Sequence, residues 1–434
     1  MIRRDFIRRT SLGITGGMVA ALPRRAEGFP SDVARTELPC GEPSYGLQDW
    51  DRVRAFFPLD RSYIHMAGLF LTSHPLSVGR SVETLREELD HNPVLSVLAR
   101  WSTDAEVRLQ TALYAGASPD EVGLTGSTTM GLGILLHGLR LPPGSEILQT
   151  THDHSVMDRA ISSKAEHASA SVRKVSLYDD NHPEHADTQQ VVERLLRTIR
   201  PETRVLAATW VHSKNGVKLP VVEMSGVVAS VNARRNEEDQ ITFVLDGVHG
   251  FGVEDVSIPE LGCHLFSSGT HKWIYGPRGT GMIWGHPRVH SRVTPVIPSL
   301  GGGVGPWGAR MTPGGFHAFE HRWAIAPAYA LHLEIGKSRV QSRIHDLSRQ
   351  LKEGLEGLPH VRVYTPRLEE LSSGIVCFDV EGRTPQFVVD ALLDKHRIIA
   401  STTPYEPSHV RLTPGLMNNE EDVEACLRAL RDVS

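Results

Sequence analysis

The feature that most constrains the fold of this chain is a rhythm. From about Tyr63 onward, amphipathic helix-like stretches alternate with short β-branched or apolar runs bounded by Gly, Pro and Asp. Strands joined by helical crossovers produce that pattern, and they assemble into a mostly parallel sheet covered by helices. Residues 122–124, 146–148, 172–177, 205–211 and 241–245 read as strands, and residues 130–139, 155–165, 188–200 and 221–233 as the helices between them. Pro142-Pro143-Gly144 and Pro201-Glu202-Thr203 punctuate the series as turns. The rhythm breaks over the Gly- and Pro-rich residues 297–315. Beyond them, 324–338 reads as one long helix leading into a smaller α+β unit, with a strand at 374–380 and helices at 384–396 and 420–430. The expectation is an α/β protein with a large domain over 31–325 and a small C-terminal domain over 326–434.

With 434 residues, 40% of them hydrophobic, the chain can bury a sizeable core. A formal net charge of -5, with acidic and basic residues intermixed, supplies no long basic face, so nucleic acid is not expected as a partner. The four cysteines, Cys40, Cys263, Cys377 and Cys426, are scattered, unlike a zinc site or a disulfide framework. Cys377 sits in the run Ile375-Val376-Cys377-Phe378 and reads as a small core residue.

At the N-terminus, Arg3-Arg4-Asp5-Phe6-Ile7-Arg8 precedes a weakly apolar run over 12–22, similar to a twin-arginine export signal. A basic amphipathic helix capping the domain is the alternative. The run is too short to span a bilayer, so no stable membrane anchor is expected. Residues 1–30 are therefore set apart as a signal, with the mature chain starting between Ala21 and Ser31. The twin-arginine export machinery carries folded proteins, which suits an enzyme that acquires a cofactor before reaching the periplasm.

Two segments carry chemistry. In Phe266-Ser267-Ser268-Gly269-Thr270-His271-Lys272-Trp273-Ile274-Tyr275-Gly276-Pro277-Arg278-Gly279-Thr280-Gly281, a lysine lies between small and hydroxyl residues and a glycine-rich turn. Glycines permit close backbone approach, hydroxyls and N–H groups can hold phosphate oxygens, and a partly desolvated ammonium can shed its proton, as Schiff-base chemistry requires. Alone, the segment reads equally as a loop with a solvated lysine. In the second, the apolar run of residues 241–245 ends on Asp246-Gly247-Val248-His249-Gly250. Ligands of open α/β sheets bind beyond the carboxyl ends of the strands, where a carboxylate can pair with a protonated pyridine nitrogen. A helix cap is the ordinary alternative for such an aspartate.

Together these segments resemble the class V aminotransferase family of fold-type I pyridoxal 5'-phosphate enzymes, which includes cysteine desulfurases and isopenicillin N epimerase-like proteins. The resemblance runs from about Tyr63 to the terminal helix, and the 26 positions between Asp246 and Lys272 are similar to the family's spacing. It implies that Lys272 holds the cofactor as a Schiff base and shuttles protons, that Asp246 holds the pyridine nitrogen, and that His249 contacts the ring's phenolic oxygen. Thr270 and His271 would bind phosphate, joined by Ser127 and Thr128 of the turn Gly126-Ser127-Thr128-Thr129 at a helix N-terminus. His154, in His152-Asp153-His154-Ser155, matches the histidine that stacks on the ring. Ser213 matches a polar neighbour of the cofactor, and Arg411, in Val410-Arg411-Leu412-Thr413-Pro414, the arginine that binds a substrate carboxylate. The expected substrate is a small amine, an amino acid or a residue on a peptide, handled by an aminotransferase, epimerase or lyase/decarboxylase reaction in a homodimer.

Two departures qualify the match. The stretch 398–405 lacks the nucleophilic cysteine of desulfurases, which disfavours a persulfide route. After Phe319-Glu320, where the family's Gly-Thr pair reaches the partner's cofactor phosphate, His321-Arg322-Trp323 stand instead, with Arg322 a candidate replacement. The nearest branch is the epimerase-like one, and the export signal makes the chain similar to the periplasmic pyridoxal-phosphate enzyme of pyoverdine siderophore maturation. A rival from another class is a metal-dependent hydrolase built on His152, His154 and Asp158, although Val156 and Arg159 break the His-x-His-x-Asp-His pattern of such sites. A non-catalytic exported binding protein leaves Asp246 and Lys272 unexplained.

Overall fold

The computed structural model describes residues 47–300 and 303–433; the segment read as an export signal lies outside them. Seven strands form the central sheet in the order Val122–Thr125, Gly281–Gly285, Leu265–Gly269, Thr242–Asp246, Thr203–Thr209, Glu146–Thr150 and Ser171–Val175. Gly281–Gly285 runs against both its neighbours, and the other ladders are parallel. Thr242–Asp246 and Leu265–Gly269 are buried at every position, as a sheet covered on both faces requires. The edge strand Ser171–Val175 exposes Ser171, Val172 and Lys174.

The crossover helices Thr128–Gly138, Ser155–Ala168, Thr188–Thr198 and Val221–Asn232 lie close to their expected places. Three of them begin on a side chain that accepts from the first turn, Ser127 from Met130, His154 from Val156 and Asp187 from Gln190. One expectation fails. The single helix read over 324–338 is two, Ala326–Ile335 and Lys337–Glu356, because Gly336 takes φ +95°, a backbone state open to glycine but costly for other residues.

A second, wholly antiparallel sheet follows, in the order Ser401–Thr402, Val410–Leu412, Val376–Val380 and Val361–Val363. Leu347, Leu351, Phe378, Leu392 and Leu430, from this sheet and its helices, share one buried cluster. Ile64–His65 pairs in parallel with Ile398–Ile399, which ties the start of the described chain to this region. Among the described residues, no helix is long and apolar enough to cross a membrane.

Candidate active site

All six co-directed strands of the large sheet deliver their following loops to one edge, and five of them carry the residues singled out by sequence there, all but Arg411, which lies in the small-sheet strand Val410–Leu412. Asp246 is the last residue of its strand, and its Oδ1 accepts the Val248 N–H at 3.0 Å. Burial pushes its carboxyl up to about 6, against the pull of that hydrogen bond and of the Lys272 charge. Lys272 follows the neighbouring strand by three residues. Its ammonium is brought down to about 8 by burial, opposed by Asp246 and assisted by Arg411. Each group can thus change protonation near neutral pH, the range that acid–base work needs.

The loop holding the lysine is stiff. Tyr275 donates its N–H to Lys272 O at 3.1 Å and sits at φ +59°, a strained backbone for a bulky side chain. Its hydroxyl accepts the Leu416 N–H at 3.1 Å, and Thr72 Oγ1 donates to His271 O at 2.9 Å. Trp273 Nε1 donates to His249 Nδ1 at 3.3 Å. Burial and the Lys272 charge keep His249 neutral, so this bond assigns its proton to Nε2.

The Ser127 hydroxyl accepts the Met130 N–H at 3.1 Å, while Thr128 Oγ1 accepts the Gly269 N–H at 2.7 Å and ties the helix start to the lysine strand. A Cβ on Gly269 would lie 2.8 Å from His271 Cε1 and 3.2 Å from Thr128 Oγ1, so the His271 ring packs over that glycine, beside the helix N-terminus. Buried His271 Nδ1 has no well-formed hydrogen bond among the described residues; burial and the Lys272 charge lower the ring's pKa, opposed by the Thr280 backbone beside it. An orphaned ring nitrogen next to the positive end of a helix is a fitting receptor for a phosphate. Thr270 is placed differently. Its hydroxyl lies 2.6 Å from that of Thr280, which in turn donates to Pro277 O, so it closes the glycine-rich turn.

Across from the lysine, His154 caps helix Ser155–Ala168 with Nδ1 3.2 Å from the Val156 N–H. Burial and the charges of Lys272, Arg159 and Arg411 lower its pKa. The Tyr405 ring meets it edge-on at 6.2 Å, and the Tyr405 hydroxyl lies 2.7 Å from Ser213 Oγ. Arg411 is 5% exposed and donates to Ser213 O at 2.9 Å, Ser401 Oγ at 3.2 Å and Thr402 O at 3.3 Å. Burial lowers its pKa, and no carboxylate among the described residues offsets that effect. A buried guanidinium held only by neutral acceptors is a costly arrangement that an incoming anion relieves.

The hydrolase trio does not assemble. The His152 ring stacks on Tyr178 at 4.0 Å, with Nε2 3.0 Å from Asp180, while Asp158 pairs with Lys174 at 2.9 Å and with Gln149. Among the described residues, the ligand-type side chains that converge as a metal would need are instead His182, Glu184 and His185. Arg322 donates to Asp104 at 3.0 Å and so is already paired within its own chain. Sequence reasoning passed over Tyr405, Trp273 and Thr72 as site residues. Only Trp273, next to Lys272, carried a signal, its adjacency.

The residues present fit pyridoxal phosphate: a partly buried lysine, a strand-end carboxylate, a histidine with Nε2–H and an anion receptor share one strand edge. Comparison with known proteins agrees. The chain is 24% identical over 408 residues to isopenicillin N epimerase of Streptomyces clavuligerus, covering 88% of this chain and 98% of that one. It is 23% identical over 358 residues to a probable cysteine desulfurase of Xylella fastidiosa, covering 77% and 81% respectively. In fold it is similar to a C-DES mutant with glycine covalently linked to its pyridoxal-phosphate cofactor, at TM-score 0.79 and 21% identity over 87% of this chain and 99% of that one. The apo cysteine desulfurase of Thermococcus onnurineus gives TM-score 0.76 at 22% identity over 88% and 97%. The aminotransferase class-V family matches residues 101–425, and with most of its length so accounted for, the chain belongs to that pyridoxal-phosphate-dependent family.

Proposed function

We propose that this pyridoxal-phosphate enzyme acts on a carboxylate-bearing amine, with Lys272 as the cofactor lysine and Arg411 as the carboxylate receptor. The observation that carries the reading is two largely covered cations, Lys272 beyond the strand edge and Arg411 in the small sheet, neither of which has a carboxylate in contact among the described residues. Bound pyridoxal phosphate supplies an aldehyde that condenses with amines and a ring that stabilises negative charge at the carbon beside the nitrogen. Around it, Asp246 would hold a proton at the pyridine nitrogen, and His249 Nε2–H would face the phenolic oxygen. His154 would cover the ring and exclude water. His271, Ser127 and the start of helix Thr128–Gly138 would receive the phosphate. Lys272, deprotonated above about pH 8, would take or return a proton at Cα.

A thiol nucleophile has no support among the described cysteines. Cys263, Cys377 and Cys426 are buried, which pushes all three thiols up, Cys377 to about 12. The reading therefore favours transamination, epimerisation or an elimination or decarboxylation over persulfide-forming desulfuration. Incubating the protein with amino acids and short peptides, with and without an α-keto acid, and weighing the products separates these reactions. A protein that stays colourless after addition of pyridoxal phosphate contradicts the whole reading.

We place the working enzyme in the periplasm, exported folded, by analogy of signal and fold with the pyoverdine-maturation enzyme. An Arg3→Lys, Arg4→Lys variant retained in the cytoplasm supports this, and normal export refutes it. We also read it as a homodimer, because Phe70, Val94, Leu95, Leu98, Trp101 and Phe316 are all exposed, a costly display for a monomer. Light scattering that returns the monomer mass rejects this.

A further inference from the structure

Tyr405 has no role in the family pattern traced above, yet it is built into the site. It belongs to the short loop between strands Ser401–Thr402 and Val410–Leu412, whose base is closed three times. Thr403 N–H donates to His409 O at 2.9 Å, His409 N–H to Thr403 Oγ1 at 2.9 Å, and Ser408 Oγ to Thr403 O at 2.7 Å. At the tip, Pro404, Glu406 and Pro407 face solvent while Tyr405 alone turns inward. Its hydroxyl reaches Ser213 Oγ at 2.7 Å, and the carbonyl of that same Ser213 accepts from Arg411 Nη1 at 2.9 Å. One residue thus anchors a neutral hydroxyl and a guanidinium side by side. Of the five guanidinium N–H groups three are used, by Nε, Nη1 and Nη2, which leaves one on each Nη, the pair that a carboxylate accepts end-on.

We propose that Tyr405 is a substrate-binding residue that donates its hydroxyl proton to the carboxylate held by Arg411, making a two-residue clamp that selects carboxylated amines. The inference rests on the assignment of Arg411 above. Burial raises the phenol to about 12, so across the physiological range it keeps the proton it donates. Ser213 Oγ is its partner while the clamp is empty, with either hydroxyl able to donate, and turning the Tyr405 proton to a carboxylate oxygen favours the bound state.

The test uses Tyr405→Phe, which keeps the ring against His154 and removes only the hydroxyl. Wild-type holoenzyme is titrated with each of the twenty L-amino acids, and the one that changes the cofactor absorbance most is carried forward with its decarboxylated amine. The proposal predicts an unchanged resting cofactor spectrum and a dissociation constant for the amino acid weaker by roughly threefold to tenfold, the difference between a hydrogen bond to a carboxylate and the neutral one to Ser213 that it replaces. Binding of the decarboxylated amine is expected to stay within a factor of about two of wild type. Equal weakening of both ligands, or no weakening of either, overturns it. No response of the wild type to any amino acid also overturns it, while an intact cofactor band in the same cuvette leaves the assignment of Lys272 standing.

Discussion

Two largely covered lysine–acid arrangements of this molecule are organised in opposite ways. Away from the strand edge, Lys218 Nζ lies 2.7 Å from Glu254 Oε2, and the other carboxylate oxygen takes His345 Nε2 at 3.0 Å and Ser373 Oγ at 2.6 Å. Burial would push the Glu254 carboxyl up, but the His345 hydrogen bond and the Lys218 charge hold it below its usual range. At the strand edge, Lys272 and Asp246 influence each other through space, with no hydrogen bond between them, and burial wins at both. A paired buried charge supports the fold. An unpaired one costs stability, and it persists where a ligand completes it.

Removing the two lysines should separate these roles most sharply. Lys272→Ala is expected to abolish covalent cofactor attachment and cut turnover by at least about a thousandfold, with little loss of stability in the cofactor-free protein, as compared by activity and thermal melting. Lys218→Ala should do the reverse. It leaves Glu254 Oε2 without its cation, with His345 and Ser373 still on Oε1, and should cost roughly 3–5 kcal/mol in denaturant titration, with the cofactor spectrum of the folded fraction unchanged. A Lys218→Ala protein as stable as wild type would erase the contrast.

Arg411→Ala comes next. Loss of charge-assisted hydrogen bonds of about 1.5–3 kcal/mol each predicts a tenfold to hundredfold or larger fall in kcat/KM. The cofactor band should survive, and if it is lost while substrate handling stays normal, this arginine is structural.

The acids sharpen the comparison through pH. Asp246 titrates higher in the fold than its ordinary 3.8, so its burial costs nothing below that value and the cost grows as pH rises through about 6. Asp246→Asn should therefore stabilise the cofactor-free protein near pH 8, on the order of 2–3 kcal/mol, while weakening cofactor binding. Glu254 has the opposite sign. Its contribution is full above the ordinary carboxylate range and is lost as pH falls through its lowered folded value. The smallest effect is kinetic. Only neutral Lys272 captures the cofactor, so capture by the cofactor-free protein should rise about fivefold from pH 7 to pH 8 and level off above. A rate that falls over this interval contradicts the lowered amine.

The legible parts of the sequence were those that local pattern controls. Apolar runs located five of the six co-directed strands, all but Leu265–Gly269, which is mostly small residues; Asp246 came into view at the end of such a run, and Lys272 through the small and hydroxyl residues and the glycine-rich turn that bracket it. Less was visible where tertiary contact decides. The antiparallel strand Gly281–Gly285 hid in a glycine-rich stretch that reads as a turn, and the helix break at Gly336 hid in an otherwise helical pattern. Thr270 reads as a phosphate ligand until Thr280 is seen to claim its hydroxyl. Arg322 reads as a free cation until Asp104, 218 positions earlier, is found beside it. Tyr405 lies in a loop with no periodicity, so its inward turn depends wholly on Ser213 and the closed loop base.

Borohydride reduction of the pyridoxal-phosphate-loaded protein, followed by proteolysis and mass mapping, tests the central claim most directly. If an ammonium at the strand edge with neither a carboxylate in contact nor a hydrogen-bond partner among the described residues marks the working lysine, the reduced cofactor will be fixed on the peptide carrying Lys272 in near-stoichiometric yield. Lys218, locked to Glu254, will carry none. Label spread over many lysines, or found on Lys218 with Lys272 unmodified, would contradict the account.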